Sequence, residues 1–174
     1  SNKFSAVKGE KYSLRRKILF DAKDEELELY GMGWNRGYAP DWFHWLRSLL
    51  SNDIKTISVS SLNHLGRKYS KYRGSTQDKQ ETLRKYKVSI VVENSNDYVS
   101  EKIFDSIRAG CVTIYVGANL EEYNLSSNYI LQLKPNSKVV ISKLRNLMQL
   151  DDEELYVYAR KSFEELKQQI KLWN

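Results

Sequence analysis

Cysteine and histidine are almost missing from this chain. Its 174 residues include one cysteine, Cys111, and two histidines, His44 and His64. A single thiol excludes an internal disulfide framework and a cysteine-rich zinc site, and two imidazoles argue against a histidine-based metal centre. Long apolar runs are missing too: none approaches the roughly 20 residues of a membrane helix. No signal-peptide pattern opens the chain. A cytoplasmic location is expected, with membrane association and a bacterial or Golgi origin left open. Internal repeats and low-complexity tracts are absent.

What is present is the composition of a folded protein, 41% apolar and 29% charged, in a length suited to one domain with its own core. The net charge of +6 is unevenly placed. Residues 1–87 carry 18 Lys and Arg against 10 Asp and Glu, whereas residues 88–174 carry 10 against 12. The stretch 64–87 concentrates the excess in Arg67, Lys68, Lys71, Arg73, Lys79, Arg84, Lys85 and Lys87, opposed by Asp78 and Glu81. Such a cluster suits an anionic partner: a phosphorylated small molecule, a nucleic acid or a lipid head group. A solvated basic loop is the equally weighted alternative.

Periodicity predicts a helix over 14–22, a short strand over 27–30 ended by Gly31-Met32-Gly33, and a helix over 40–51 that opens on Pro40. Trp42, Trp45, Leu46 and Leu49 give that helix an aromatic face, which is read as core packing in preference to sugar stacking. Residues 54–60 alternate like a strand, 64–75 read as a basic loop, and 77–86 as a polar helix. The middle of the chain is the most informative. Residues 87–92 (KVSIVV) and 111–116 (CVTIYV) are short β-branched runs of the kind found in buried strands. Between them, 98–109 reads as a helix with Ile103, Phe104 and Ile107 facing the core, stopped by Gly110. Strand, helix and strand in about 30 residues make a βαβ unit with parallel strands. A further strand at 129–133 and helices at 137–150 and 151–173 complete an α/β domain with a mainly parallel sheet. In the last helix Leu155, Ala159, Phe163, Leu166, Ile170 and Trp173 recur at helical spacing, with four acids in its first turn.

In such sheets ligands bind beyond the carboxyl ends of the strands, near helix N-termini. The run Glu93-Asn94-Ser95-Asn96-Asp97-Tyr98-Val99-Ser100-Glu101-Lys102 lies at such an edge. A helix N-terminus suits a pyrophosphate. Lys102 adds a point charge for a phosphate oxygen, and the acceptor-only carboxylate of Glu101 suits two ribose hydroxyls. Asn94 both donates and accepts, and Tyr98 offers a ring face and a hydroxyl. Taken singly, each has a plainer explanation: Ser95, Asp97 or Ser100 as a helix cap, Glu101 as a complement to the dipole, Lys102 as a solvated charge. The helix lacks the G-x-G-x-x-G and G-K-[ST] signatures, which disfavours common dinucleotide and P-loop chemistry.

The string YKVSIVVENSNDYVSEKIFDSIRAGCVTIYVGA, Tyr86–Ala118, resembles the donor-binding motif of the α-1,3-fucosyltransferases, glycosyltransferase family 10. Tyr86, Lys87, Glu93, Asn94, Ser95, Tyr98, Glu101, Lys102, Ala109, Gly110, Val112 and Gly117 stand where that motif has the same residues. Ser100 stands in place of its threonine and Thr113 in place of its proline. A weaker likeness extends over roughly 12–150, including Arg15, Arg16 and the 27–33 segment.

The resemblance implies a Rossmann-like, mainly parallel sheet with helices on both faces, like the C-terminal half of a GT-B glycosyltransferase. It implies one nucleotide-sugar-binding domain over 3–174, with the N-terminal acceptor domain absent. It also implies an inverting transfer from a GDP-fucose-like donor to a glycan acceptor, without a strict need for metal, so no bound metal and no resident cofactor are expected. Glu101 would hold the ribose, Lys102 the pyrophosphate, and Asn94, Ser95 and Tyr98 would line the donor pocket. Arg67, or failing that Arg73, would reach the diphosphate. The general base would reside in an N-terminal acceptor domain or subunit, so no catalytic residue is assigned. One alternative is a transferase for another nucleotide sugar. Another is a nucleic-acid-binding module using the basic segment with Tyr69, Tyr72 and Tyr86. Against the latter stand the slightly acidic 88–174 region and the lack of a known nucleic-acid motif, so no nucleic-acid partner is expected.

Overall fold

A three-stranded parallel sheet organises the C-terminal part of the chain. The computed structural model describes residues 11–31, 34, 69–125 and 128–171, which divide between two compact units, Ser1–Ser75 and Thr76–Asn174. The helix expected over 40–51, with Trp42, Trp45 and His44, the strand expected over 54–60, Arg67 and Trp173 all lie outside the described residues.

In the first unit, helix α1 (Tyr12–Asp21) buries Ile18 and Leu19 with the neighbouring Ala22. Strand β1 (Leu29–Tyr30) pairs in parallel with β2 (Tyr72–Gly74), Leu29 opposite Tyr72 and Tyr30 opposite Gly74. The segment 64–75 was expected to be a loop, but its last residues form this strand. Side chains fasten the pairing. Lys71, buried, binds Asp24 at 2.9 Å, Ser70 donates to the same carboxylate at 2.7 Å, and Arg73 pairs with Glu28 at 2.7 Å. Tyr72 donates its hydroxyl to the carbonyl of Gly31 at 2.8 Å, and Tyr69 packs edge-on against the buried Trp34.

The second unit opens with α2 (Lys79–Leu83), whose start is capped by the Asp78 carboxylate. Strands β3 (Val88–Val92), β4 (Val112–Val116) and β5 (Leu131–Gln132) follow in the spatial order β3-β4-β5, all parallel. Every residue of β4 is buried, as befits a central strand covered on both faces. Helix α3 (Glu101–Arg108) joins β3 to β4 and presents Ile103 and Ile107 to a core with Val91, Tyr115, Leu120, Leu125, Ile130 and Leu166. Because strand residues alternate between faces, Val91 and Tyr115 mark the face of the sheet that meets α3. On the same face the Ser106 and Thr113 hydroxyls satisfy each other at 2.7 Å.

Gly110 ends α3 at φ +83°, a conformation in which the lack of a Cβ removes the usual strain. After β4 comes a short 3-10 turn, Leu120–Tyr123. The Gln132 amide braces it, accepting from Leu120 N–H and donating to Ala118 C=O, each at 3.1 Å. Helix α4 (Ser137–Leu147) buries Val140, Ile141, Leu144 and Leu147.

Helix α5 (Asp152–Lys171) buries Leu155, Ala159, Ser162 and Leu166. Phe163, expected on its inner face, is exposed. The small Ser162 takes the inward place, with its hydroxyl donated to Ala159 C=O at 2.8 Å. Among the described residues, no helix is long and apolar enough to cross a membrane. The chain is thus α/β with small parallel sheets.

Candidate functional site

The C-terminal end of β3 delivers a charged residue into the interior. Glu93 continues the ladder, its N–H donating to Val116 C=O at 2.8 Å. By strand alternation its side chain follows Val91 toward α3. The residue is 0% exposed. A carboxylate taken so completely from water needs compensating donors and a counter-charge, and the first turn of α3 supplies both. Ser100, the N-cap of α3, donates its backbone N–H to Oε1 at 2.9 Å. Its hydroxyl lies 2.8 Å from each carboxylate oxygen. Lys102 donates from Nζ to Oε2 at 2.8 Å. Ser100 Oγ in turn accepts from Lys102 Nζ at 3.0 Å and from Lys102 N–H at 3.4 Å.

Two of the three ammonium N–H groups of Lys102 are thus committed inward, to Glu93 and Ser100. The side chain is 32% exposed, and the third N–H is uncommitted among the described residues. One cationic donor is held in a fixed place at the start of a helix, where partial positive charge already favours anions.

The inner wall is tight. Gly117 follows β4 directly beneath this network. A Cβ there would strike the Tyr115 hydroxyl, reach within 2.5 Å of its ring carbon Cζ, and come 2.7 Å from Glu93 Cγ. Tyr115 is fully buried, and its hydroxyl makes no hydrogen bond of ordinary geometry among the described residues. Desolvation, reinforced by the nearby Glu93 charge, raises its pKa well above the ordinary tyrosine value. Cys111, at the other end of β4, is pushed up to about 11 by burial alone.

The remaining predicted residues spread along the edge. The Ser95 hydroxyl accepts from Asp97 N–H at 3.1 Å, forming a local turn, and Tyr123 donates to Asp97 C=O at 2.8 Å from the 3-10 turn. Asn94 is half-buried and Tyr98 is exposed. The Glu101 side chain, 66% exposed, stands away from the Glu93 cluster with Lys79 Nζ 3.7 Å from its carboxylate. Arg73 belongs to the first unit, where Glu28 holds it. Sequence reasoning placed Glu93 and Ser100 in a turn and a cap. The clue to a larger role was available: an acid directly after a mostly apolar strand, with Ser-x-Lys seven to nine residues on. Tyr69 and Tyr72, invoked for nucleic-acid stacking, are engaged with Trp34 and Gly31.

Comparison with known proteins gives a consistent picture. The model of the glycosyltransferase family 10 (fucosyltransferase) C-terminal domain matches residues 44–169, most of the chain. A fucosyltransferase-like protein of Arabidopsis thaliana is 37% identical over 92 residues, which is 51% of this chain but 17% of the plant protein. The chain therefore matches less than a fifth of that relative's length. No solved structure matches it.

Proposed function

The chain belongs to glycosyltransferase family 10, through the C-terminal domain of its fucosyltransferases, and from that premise we propose that it binds the nucleotide-sugar donor, GDP-fucose or a close relative, for an inverting transfer to a glycan hydroxyl. The observation that carries this proposal is the Lys102 ammonium, held by Glu93 and Ser100 at the start of α3 with one N–H left over. It stands at the carboxyl edge of a parallel sheet, where nucleotides bind in open α/β folds. The second unit is on this view the Rossmann-like, donor-binding half of a GT-B architecture.

Transfer breaks the bond between the anomeric carbon and the diphosphate oxygen and forms one to the acceptor oxygen. GDP leaves with an added negative charge, and fixed cationic donors facing that charge lower the barrier. Lys102 supplies one such donor. Glu101 is assigned to the ribose hydroxyls. Its contact with Lys79 is an exposed pair and worth little, so the carboxylate is readily redirected. Asn94, Ser95 and Tyr98 line the donor pocket. The acceptor proton goes to a base contributed by an acceptor domain or subunit. No step requires a metal.

Calorimetric titration with GDP, GDP-fucose and UDP tests this. GDP is expected to bind at least tenfold more tightly than UDP, and Glu101→Gln to weaken GDP more than 2′,3′-dideoxy-GDP. No GDP binding up to millimolar concentration rejects a donor site in this chain.

A further inference from the structure

We infer that Glu93 is a positioning residue for the donor diphosphate: it fixes the direction of the one Lys102 N–H left uncommitted among the described residues and sacrifices local positive charge to do so. The inference rests on the donor-binding proposal above and extends it to a residue that touches no ligand. Lys102 is the only cation that Glu93 meets among the described residues, and Glu93 has no exposed surface through which a ligand can reach it. Its carboxylate cannot swing aside, because Ser100 holds both oxygens and Tyr115 closes the side next to Gly117. The ammonium at the end of a four-carbon stem is therefore anchored at two of its three protons.

Two physical effects oppose each other here. A carboxylate 2.8 Å from Nζ reduces the attraction of that ammonium for a diphosphate, so as a point charge Glu93 weakens anion binding. As an anchor it removes the rotamer freedom a lysine otherwise loses when it binds. The structure favours anchoring. Oε1 takes the Ser100 N–H and Oε2 takes Lys102. Glutamine at 93 has only one acceptor oxygen, so it leaves either the helix cap or the lysine facing an NH2 group.

The test compares wild type with Glu93→Gln at fixed ionic strength, titrating GDP and guanosine separately. A roughly tenfold loss of GDP affinity, the order expected for freeing one lysine side chain, with guanosine affinity unchanged, is the expected result. Unchanged or tighter GDP binding overturns the inference, because the point-charge effect has then won. Equal losses for GDP and guanosine also overturn it, because Glu93 is then merely structural.

A second measurement does not depend on nucleotide. Acetic anhydride labelling of Lys102, read by mass spectrometry, is expected to be several-fold faster in Glu93→Gln, and equal rates overturn the anchor. If wild type binds no GDP while the labelling difference persists, donor binding is what has failed, and with it the diphosphate as the purpose of the anchor. Should Glu93→Gln not fold, Glu93→Asp serves the same comparisons, since the shorter side chain cannot reach Ser100 and Lys102 together.

Discussion

Replacing Gly117 by alanine adds one methyl group, and the structure says where it goes. The new carbon would sit 2.5 Å from Tyr115 Cζ and 2.7 Å from Glu93 Cγ, against ordinary carbon contacts of roughly 3.5–4.0 Å. Neither neighbour is a loose end: Tyr115 and Glu93 are both fully buried. Overpacking of this kind costs about 1–3 kcal/mol, and the tether on Glu93 puts Gly117→Ala near the upper end, about 3 kcal/mol. Gly110→Ala is the matched control. Gly110 has nothing within 4 Å of its would-be Cβ but sits at φ +83°, so its cost is backbone strain alone, about 1–2 kcal/mol. Urea denaturation of the two variants should rank Gly117→Ala below Gly110→Ala. Only Gly117→Ala should also speed labelling of Lys102, because only it dislodges Glu93. A Gly117→Ala protein as stable as wild type, or more stable than Gly110→Ala, refutes the tight inner wall and the fixed carboxylate built upon it.

Ser100→Ala removes both the cap of α3 and a hydroxyl donor to a buried carboxylate, and should cost about 1–2 kcal/mol in urea denaturation. Ser100→Thr keeps the hydroxyl and should stay close to wild type. Asp24 titrates below its ordinary value, because Ser70 and then Lys71 hydrogen-bond its carboxylate. A depressed folded-state pKa means that this link is present above the ordinary aspartate range and is lost as pH falls through the lower folded value. Carboxyl NMR should find Asp24 titrating below the ordinary aspartate value, and Ser70→Ala should bring it back toward normal. Cys111, buried with its thiol pushed up to about 11, should resist a thiol reagent at neutral pH until denaturant is added, and rapid labelling of the native protein would contradict its burial.

Strands β3 and β4 were readable nearly to the residue, because both are short runs rich in β-branched residues and β4 is covered on both faces; Val88–Val92 and Val112–Val116 fell within the predicted bounds. The last helix was legible from its period, but its face was not settled by hydrophobicity. Ser162 lies inside and Phe163 outside because close packing favours the smaller side chain. Helix α3 begins at Glu101, three residues later than predicted. Ser95, Asp97 and Ser100 all qualify as caps by type, and it is Glu93, seven residues upstream of Ser100, that draws its N–H and hydroxyl. Strand Leu29–Tyr30 lies within the expected 27–30, but its partner Tyr72–Gly74, about 40 residues on, gave no local signal, since three residues inside a basic run carry too little for a period. Among the candidate site residues, Lys102 was chosen for its charge, whereas the partners that orient it are visible only in three dimensions.

The joint use of Lys102 has an evolutionary corollary. The same ammonium that would meet a leaving diphosphate also neutralises an acid sealed inside the domain. A lineage that stopped transferring sugar would still be penalised for discarding it. Persistence of these letters in a distant gene therefore vouches first for an intact loop, and only secondarily for turnover.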